Sequence, residues 1–211
     1  MIAVVIPVRD GAAWLPDALA SVRAQGDAVS EIVVVDDGST DPIAARTGIT
    51  IVRHDVPRGP AAARNAGVAA SSAPLLGFLD VDDLYTEDAL AQRVDALRQG
   101  PYDLVATRMV RIPMGAAAPE VPEVGEGWWA FSFGAALVTR EAWRRVGPID
   151  ESLLRGEDAD WWLRARAAAL RVHRSDRVTL IVRTHADSWA GTLAERTSAT
   201  FDVIRRRVAG R

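Results

Sequence analysis

Leu75-Leu76-Gly77-Phe78-Leu79-Asp80-Val81-Asp82-Asp83 is an apolar run that ends in a cluster of carboxylates. Residues 75–79 have the length and composition of a strand, bounded by the turn-forming acids that follow. In open α/β sheets, ligands bind in the crevice beyond the carboxyl ends of the strands. The acids that close this run therefore stand where a ligand would be held.

The same grammar extends in both directions. Residues 2–6 read as a first strand, and Leu15, Leu19 and Val22 share one face of a helix whose first turn accommodates Pro16. Residues 31–35 and 49–53 read as further strands, and residues 60–70 as a helix. Beyond the opening stretch, Thr86 is placed to cap a helix burying Leu90, Val94 and Leu97, and residues 103–110 are extended. Residues 112–127, rich in Pro, Gly, Ala and Glu, read as a loop. Residues 131–138 read as a strand, residues 140–146 as a short helix, and a second helix from Glu157 is expected to bury Leu163, Ala167 and Leu170. Residues 171–173 and 178–182 close the sheet, and residues 192–208 form a helical tail. Strands alternating with amphipathic stretches imply βα units around a largely parallel sheet.

A second acid cluster, Asp36-Asp37-Gly38-Ser39-Thr40-Asp41, follows the second strand and shares an edge with the first. Either cluster alone has an ordinary account, because Asp, Gly and Ser populate turns and caps for local hydrogen-bonding reasons. Together they place several carboxylates at one crevice, where they repel unless a cation intervenes. Magnesium and manganese prefer oxygen ligands and bind through one or two carboxylates plus substrate phosphates, so a phosphorylated substrate is expected. A third acidic element, Gly156-Glu157-Asp158-Ala159-Asp160-Trp161-Trp162, opens a helix. First-turn acids are stabilised by the helix dipole; the same dipole is expected to keep Asp158 ionised near neutral pH, as a general base requires.

Composition removes other chemistries. The 211 residues contain no cysteine, and every basic residue is arginine, which excludes thiol catalysis, disulfides and a lysine Schiff base. A net charge of -3 argues against nucleic acid as the main partner. The apolar start lacks a basic region and is too short for a signal or a membrane span, so a cytoplasmic protein is expected.

These stretches, with Val4-Val5-Ile6-Pro7-Val8-Arg9-Asp10, residues 59–67 and Gly147-Pro148-Ile149-Asp150-Glu151, carry a resemblance to the family-2 glycosyltransferases over nearly the whole chain. The resemblance implies an α/β, Rossmann-like GT-A fold, a mostly parallel sheet with helices on both faces and an antiparallel portion in the C-terminal half. It implies one domain over residues 1–211, with a nucleotide-sugar half (1–110), an acceptor half (111–190) and a tail (191–211). It further implies that Asp37 and Arg64 hold the donor nucleotide with Pro7 and Arg9. Asp80 and Asp82 would form the DxD motif, Asp80 on the ribose and Asp82 on a manganese or magnesium ion bridging the diphosphate. Asp158 would be the base, with Glu157 beside it, and His185 would complete the metal shell. Where relatives often carry an aromatic residue or Thr-Tyr-Asn, this chain has Val8-Arg9-Asp10; an arginine plane also stacks on a base, which leaves the donor base open. The acceptor is equally open: a small molecule, a peptide or protein, or a lipid-linked group. Two rivals stay in view, a nucleotide-sugar-binding protein without activity and a sugar-nucleotide pyrophosphorylase, although the glycine- and lysine-rich signature of the latter is missing.

Overall fold

The computed structural model describes residues 1–115, 127–153 and 155–185. Its first half is built from Ile2–Val8 (β1), Val29–Asp36 (β2), Thr50–Arg53 (β3) and Leu75–Phe78 (β4), all parallel and ordered β3-β2-β1-β4. β1 is buried along almost its whole length, which is why it reads as an unbroken apolar run. Its side chains alternate between two cores. Ile2, Val4 and Ile6 pack with Leu15, Leu19 and Val22 of helix Leu15–Arg23 (α1), whereas Ala3 and Val5 pack with Ala61, Ala63 and Val68 of helix Pro60–Ala69 (α2). Helices thus cover both faces. Because β2 lies on one side of β1 and β4 on the other, the chain reverses direction across the sheet at β1, and a crevice opens at its carboxyl end.

The second half adds Leu84–Tyr85 (β5), helix Ala89–Arg98 (α3), Leu104–Pro113 (β6), Ala136–Thr139 (β7), helices Arg140–Val146 (α4) and Glu157–Ala167 (α5), and Val172–Thr184 (β8). The sheet, eight-stranded among the described residues, continues as β4-β7-β6-β8-β5, with β7 antiparallel to both neighbours, β8 parallel to β6 and β5 antiparallel to β8. Among the described residues, no helix is long and apolar enough to cross a membrane.

Several local expectations are corrected here. Thr86 does not cap α3; its hydroxyl donates to the Val178 carbonyl at 3.2 Å, and the Leu90 amide is met instead by Gln25 Oε1 at 2.9 Å. Residues 131–138 are not one strand: Phe133–Ala135 forms a 3-10 turn capped by the Ser132 hydroxyl before β7 begins. β6 runs on to Pro113 because Arg111–Pro113 pair with Val182–Thr184, so the following loop starts later than composition suggests. The two closing segments are one strand, β8, with an irregularity between the pairs Ala106–Arg174 and Arg108–Val178. α5 buries Asp160, Trp161 and Ala165, while Ala167 is exposed and Leu163 half-buried. The rotation is set by Trp161, whose Nε1 donates to the Gly147 carbonyl at 3.0 Å within a cluster of Phe131, Phe133 and Trp143. The expected tail helix at residues 192–208 lies outside the described residues.

Candidate active site

At the end of β2 the two neighbouring aspartates do different work. Asp36 is wholly buried and accepts the Ser39 and Ile43 amides at 2.9 and 3.0 Å as well as the Arg53 guanidinium. These hydrogen bonds hold its carboxyl below its ordinary value although burial alone would raise it. Asp37, 4% exposed, grips the segment after β3: Oδ1 lies 2.6 Å from His54 Nδ1 and accepts the Arg58 amide at 2.9 Å, and Oδ2 accepts the Gly59 amide at 2.7 Å. Its carboxylate therefore shapes the wall of the crevice by holding the start of α2. Pro7 is half-buried near the end of β1, opposite Val35, and Arg9 follows it with its side chain half-exposed. The Thr40 amide donates to Asp10 Oδ1 at 2.8 Å and ties the two loops together.

Arg64 is the centre of the cluster. Carried by α2 and 5% exposed, it donates through Nη2 to Asp80 Oδ1 at 2.7 Å and through Nη1 to Glu157 Oε1 at 2.9 Å, with Asp158 Oδ1 3.9 Å away. Burial would lower its pKa, but Asp80, Asp158 and Glu157 outweigh that and raise it, so its charge is permanent. One arginine thereby joins the loop after β4, 16 residues on from it, to the N-terminus of α5, 93 residues on. One cation faces three carboxylates, and the cluster keeps a surplus of negative charge.

Asp158 sits in the first turn of α5, with Oδ2 accepting the Phe133 amide at 3.3 Å and Oδ1 buried without a hydrogen-bond partner among the described residues. Its pKa is pushed up to about 7, first by burial and then by Glu157 and Asp80, against the opposing pull of Arg64 and the Phe133 amide. The expectation that the helix dipole keeps this group fully ionised at neutral pH is not met, because desolvation and two neighbouring negative charges exceed it. A carboxyl that titrates near neutrality in a crevice is suited to exchange a proton with a substrate.

The loop after β4 carries Asp80, which meets Arg64, followed by Asp82 and the buried Asp83. Asp80 has the most exposed of these side chains, at 42%. Asp82 Oδ2 lies 3.2 Å from Nε2 of His185, whose ring packs against Trp14. Burial and then Asp80 raise the Asp82 pKa; burial, Asp80 and Asp82 raise that of Asp83 further. This loop is latched by Arg183, which the sequence did not single out. Its amide donates to Asp83 Oδ1 at 3.0 Å, its Nε to the Asp82 carbonyl, and its Nη1 to Asp17 of α1 at 2.8 Å. Asp82 and His185 present an oxygen and an imidazole side by side. That donor set fits a divalent cation. Among the described residues no group of three or more His, Cys, Asp or Glu is arranged to hold a metal ion.

Sequence reasoning also passed over His54 and Arg53, which hold Asp37 and Asp36, and Arg93 of α3. The only sign of the first two was their place at the end of β3.

Comparison with known proteins bears on the family and the fold. Residues 3–143 match the model of glycosyl transferase family 2. The chain is 30% identical over 206 residues to the pre-mycofactocin glycosyltransferase of Mycobacterium tuberculosis, covering 87% of this chain and 43% of that protein. It is 38% identical over 125 residues to the succinoglycan biosynthesis protein ExoU of Rhizobium meliloti, covering 56% of this chain and 35% of that one. The chain thus spans less than half the length of these two relatives. Among solved structures, S. aureus TarS 1-349 in complex with UDP-GlcNAc superposes with a TM-score of 0.73 at 17% identity, covering 96% of this chain and 65% of TarS 1-349. The same protein in complex with UDP gives 0.70 at 16% identity, covering 99% and 72%, a likeness of fold. By its match over residues 3–143, the chain belongs to glycosyl transferase family 2.

Proposed function

We propose that the chain transfers a glycosyl group from a nucleotide-diphosphate sugar to an acceptor by a single in-line displacement with inversion. The observation that carries this reading is the Arg64 cluster, in which a charged hub joins the acids after β4 to a carboxyl with a pKa of about 7. The nucleotide lies at the carboxyl ends of β1 and β2, against Pro7, Arg9 and the loop shaped by Asp37, with Asp80 toward the ribose. The complexes of TarS with UDP and UDP-GlcNAc support a donor of this class.

Asp158 accepts the acceptor proton as the acceptor oxygen forms its bond to the anomeric carbon. The bond from that carbon to the diphosphate oxygen breaks in the same step, through an oxocarbenium-like transition state. Arg64 faces the charge that develops on the leaving diphosphate, and Glu157 orients Arg64. Asp82, Asp80 and His185 would hold a manganese or magnesium ion, which when bound neutralises the diphosphate. Positioning and charge neutralisation are the whole demand of such a transfer, so no nucleophilic side chain is required. The acceptor is a small molecule, a peptide or protein, or a lipid-linked group, and not a nucleic acid.

The test is Asp158→Asn, which keeps the shape of the site. Donor binding is expected to persist while turnover falls by about 10²–10⁴-fold, the usual weight of a general base. Undiminished turnover would remove Asp158 from the base role.

A further inference from the structure

α3 carries a guanidinium where its pattern calls for an apolar side chain. Arg93 has 0% exposure and lies on the same buried stripe as Leu90 and Ala96. Its Nε and Nη2 donate to Thr179 Oγ1 at 2.9 and 2.7 Å, Nη1 to the Ala136 carbonyl at 3.1 Å and Nη2 to the Gly134 carbonyl at 2.7 Å. Its Cζ stands 4.8 Å from the centre of the Tyr85 ring. All of these partners are neutral, and burial lowers the arginine's pKa. Desolvating a cation without a counter-ion is unfavourable, and an apolar residue of similar volume would commonly serve stability as well or better.

What Arg93 grips is the 3-10 turn. The Thr107 hydroxyl donates to the intervening Ala135 carbonyl at 2.8 Å and lies 2.5 Å from the Thr179 hydroxyl, so the carbonyls of Gly134, Ala135 and Ala136 are held by one network. Ala135 packs in the core shared with α3, whereas Phe133 packs in the other core, with Trp161 of α5. The turn passes from one core to the other, and on the α5 side its Phe133 amide donates to Asp158. The charged groups acting on Asp158 are Arg64 from α2, Glu157 from its own helix and Asp80 from the loop after β4.

We propose that Arg93 is a positioning residue for Asp158, fixing through the Gly134–Ala136 carbonyls the turn whose Phe133 amide orients the carboxylate. The inference rests on the reading of Asp158 as the base, but its main readout is independent of turnover. The Phe133 amide proton shift, followed by NMR across pH, tracks ionisation of Asp158 in the parent protein and loses that response in Asp158→Asn. In Arg93→Met, which preserves volume without charge, the response is expected to shrink by about half or more as the hydrogen bond to the ionised form loosens. In the same variant kcat falls about tenfold while donor KM stays within about twofold, the pattern of an interaction made in the transition state alone. Arg93→Lys, a single ammonium unable to span both carbonyls, lies between.

A folded Arg93→Met protein with the full Phe133 response and unchanged kcat would overturn the proposal. Should that variant not fold, Thr107→Val, which frees the Ala135 carbonyl and removes the hydroxyl beside the Thr179 hydroxyl that Arg93 grips, carries the same criterion: a reduced response supports positioning, and a full response contradicts it. Failure of the base assignment is seen separately, as retained turnover in Asp158→Asn with the Phe133 response intact in the parent protein.

Discussion

Asp158 is held in a form that the fold disfavours. Its pKa of about 7 implies two outcomes with opposite signs. As base it must be ionised, so kcat/KM should climb with pH, with an acidic limb near pH 7, and the residual activity of Asp158→Asn should lack that limb. A limb below pH 5 would mean that another group accepts the proton. Stability runs the other way. The folded state binds this proton more tightly than the unfolded chain, so the group's stabilising contribution is complete below the ordinary carboxylate range and is lost as pH rises through about 7. Asp158→Asn should therefore raise the melting temperature at pH 8 by several degrees and give no gain at pH 4. A variant melting below the parent at pH 8 would show that Asp158 is a net stabiliser of α5.

At the scale of elements, the loop after β2 and the segment after β3 form one wall. Gly38 has φ of +71°, and a Cβ there would lie 2.6 Å from the Pro57 backbone nitrogen. Gly38→Ala is expected to destabilise the protein by about 1–3 kcal/mol and to weaken donor binding more than it lowers kcat, because it pushes apart a wall rather than touching reacting atoms. Calorimetric titration of the donor against the variant checks this; unchanged affinity would detach that wall from the nucleotide. The strands of the first half were legible in the sequence because burial on both faces leaves unbroken apolar runs such as Val33-Val34-Val35. The 3-10 turn was not, since Phe133-Gly134-Ala135 reads as strand unless Arg93 and Thr107, 41 and 28 residues away, take its carbonyls. The α3 cap was hidden for the same reason, its acceptor being Gln25, 65 residues from Leu90.

Across the whole molecule, the sheet order brings the loop after β4, the start of α2 and the start of α5 to one crevice. The acids were visible because they stand at strand ends, where sequence position alone predicts exposure to ligand. Arg183 and His54 were not, because each acts on a carboxylate delivered by a distant segment, 100 and 17 residues away. The surplus negative charge around Arg64, Asp82 and Asp83 is what a divalent cation would offset. The most direct test is a thermal-shift series of the purified protein with nucleoside diphosphates and their sugars, with and without manganese. Ligand at 100 times its Kd stabilises by about 2.7 kcal/mol, so a rise of about 5–10 °C is expected for one nucleotide. That rise should depend on manganese and vanish in Asp82→Ala. No shift with any nucleotide, or a shift indifferent to both manganese and Asp82, would contradict a metal-assisted transfer from a nucleotide sugar at this site.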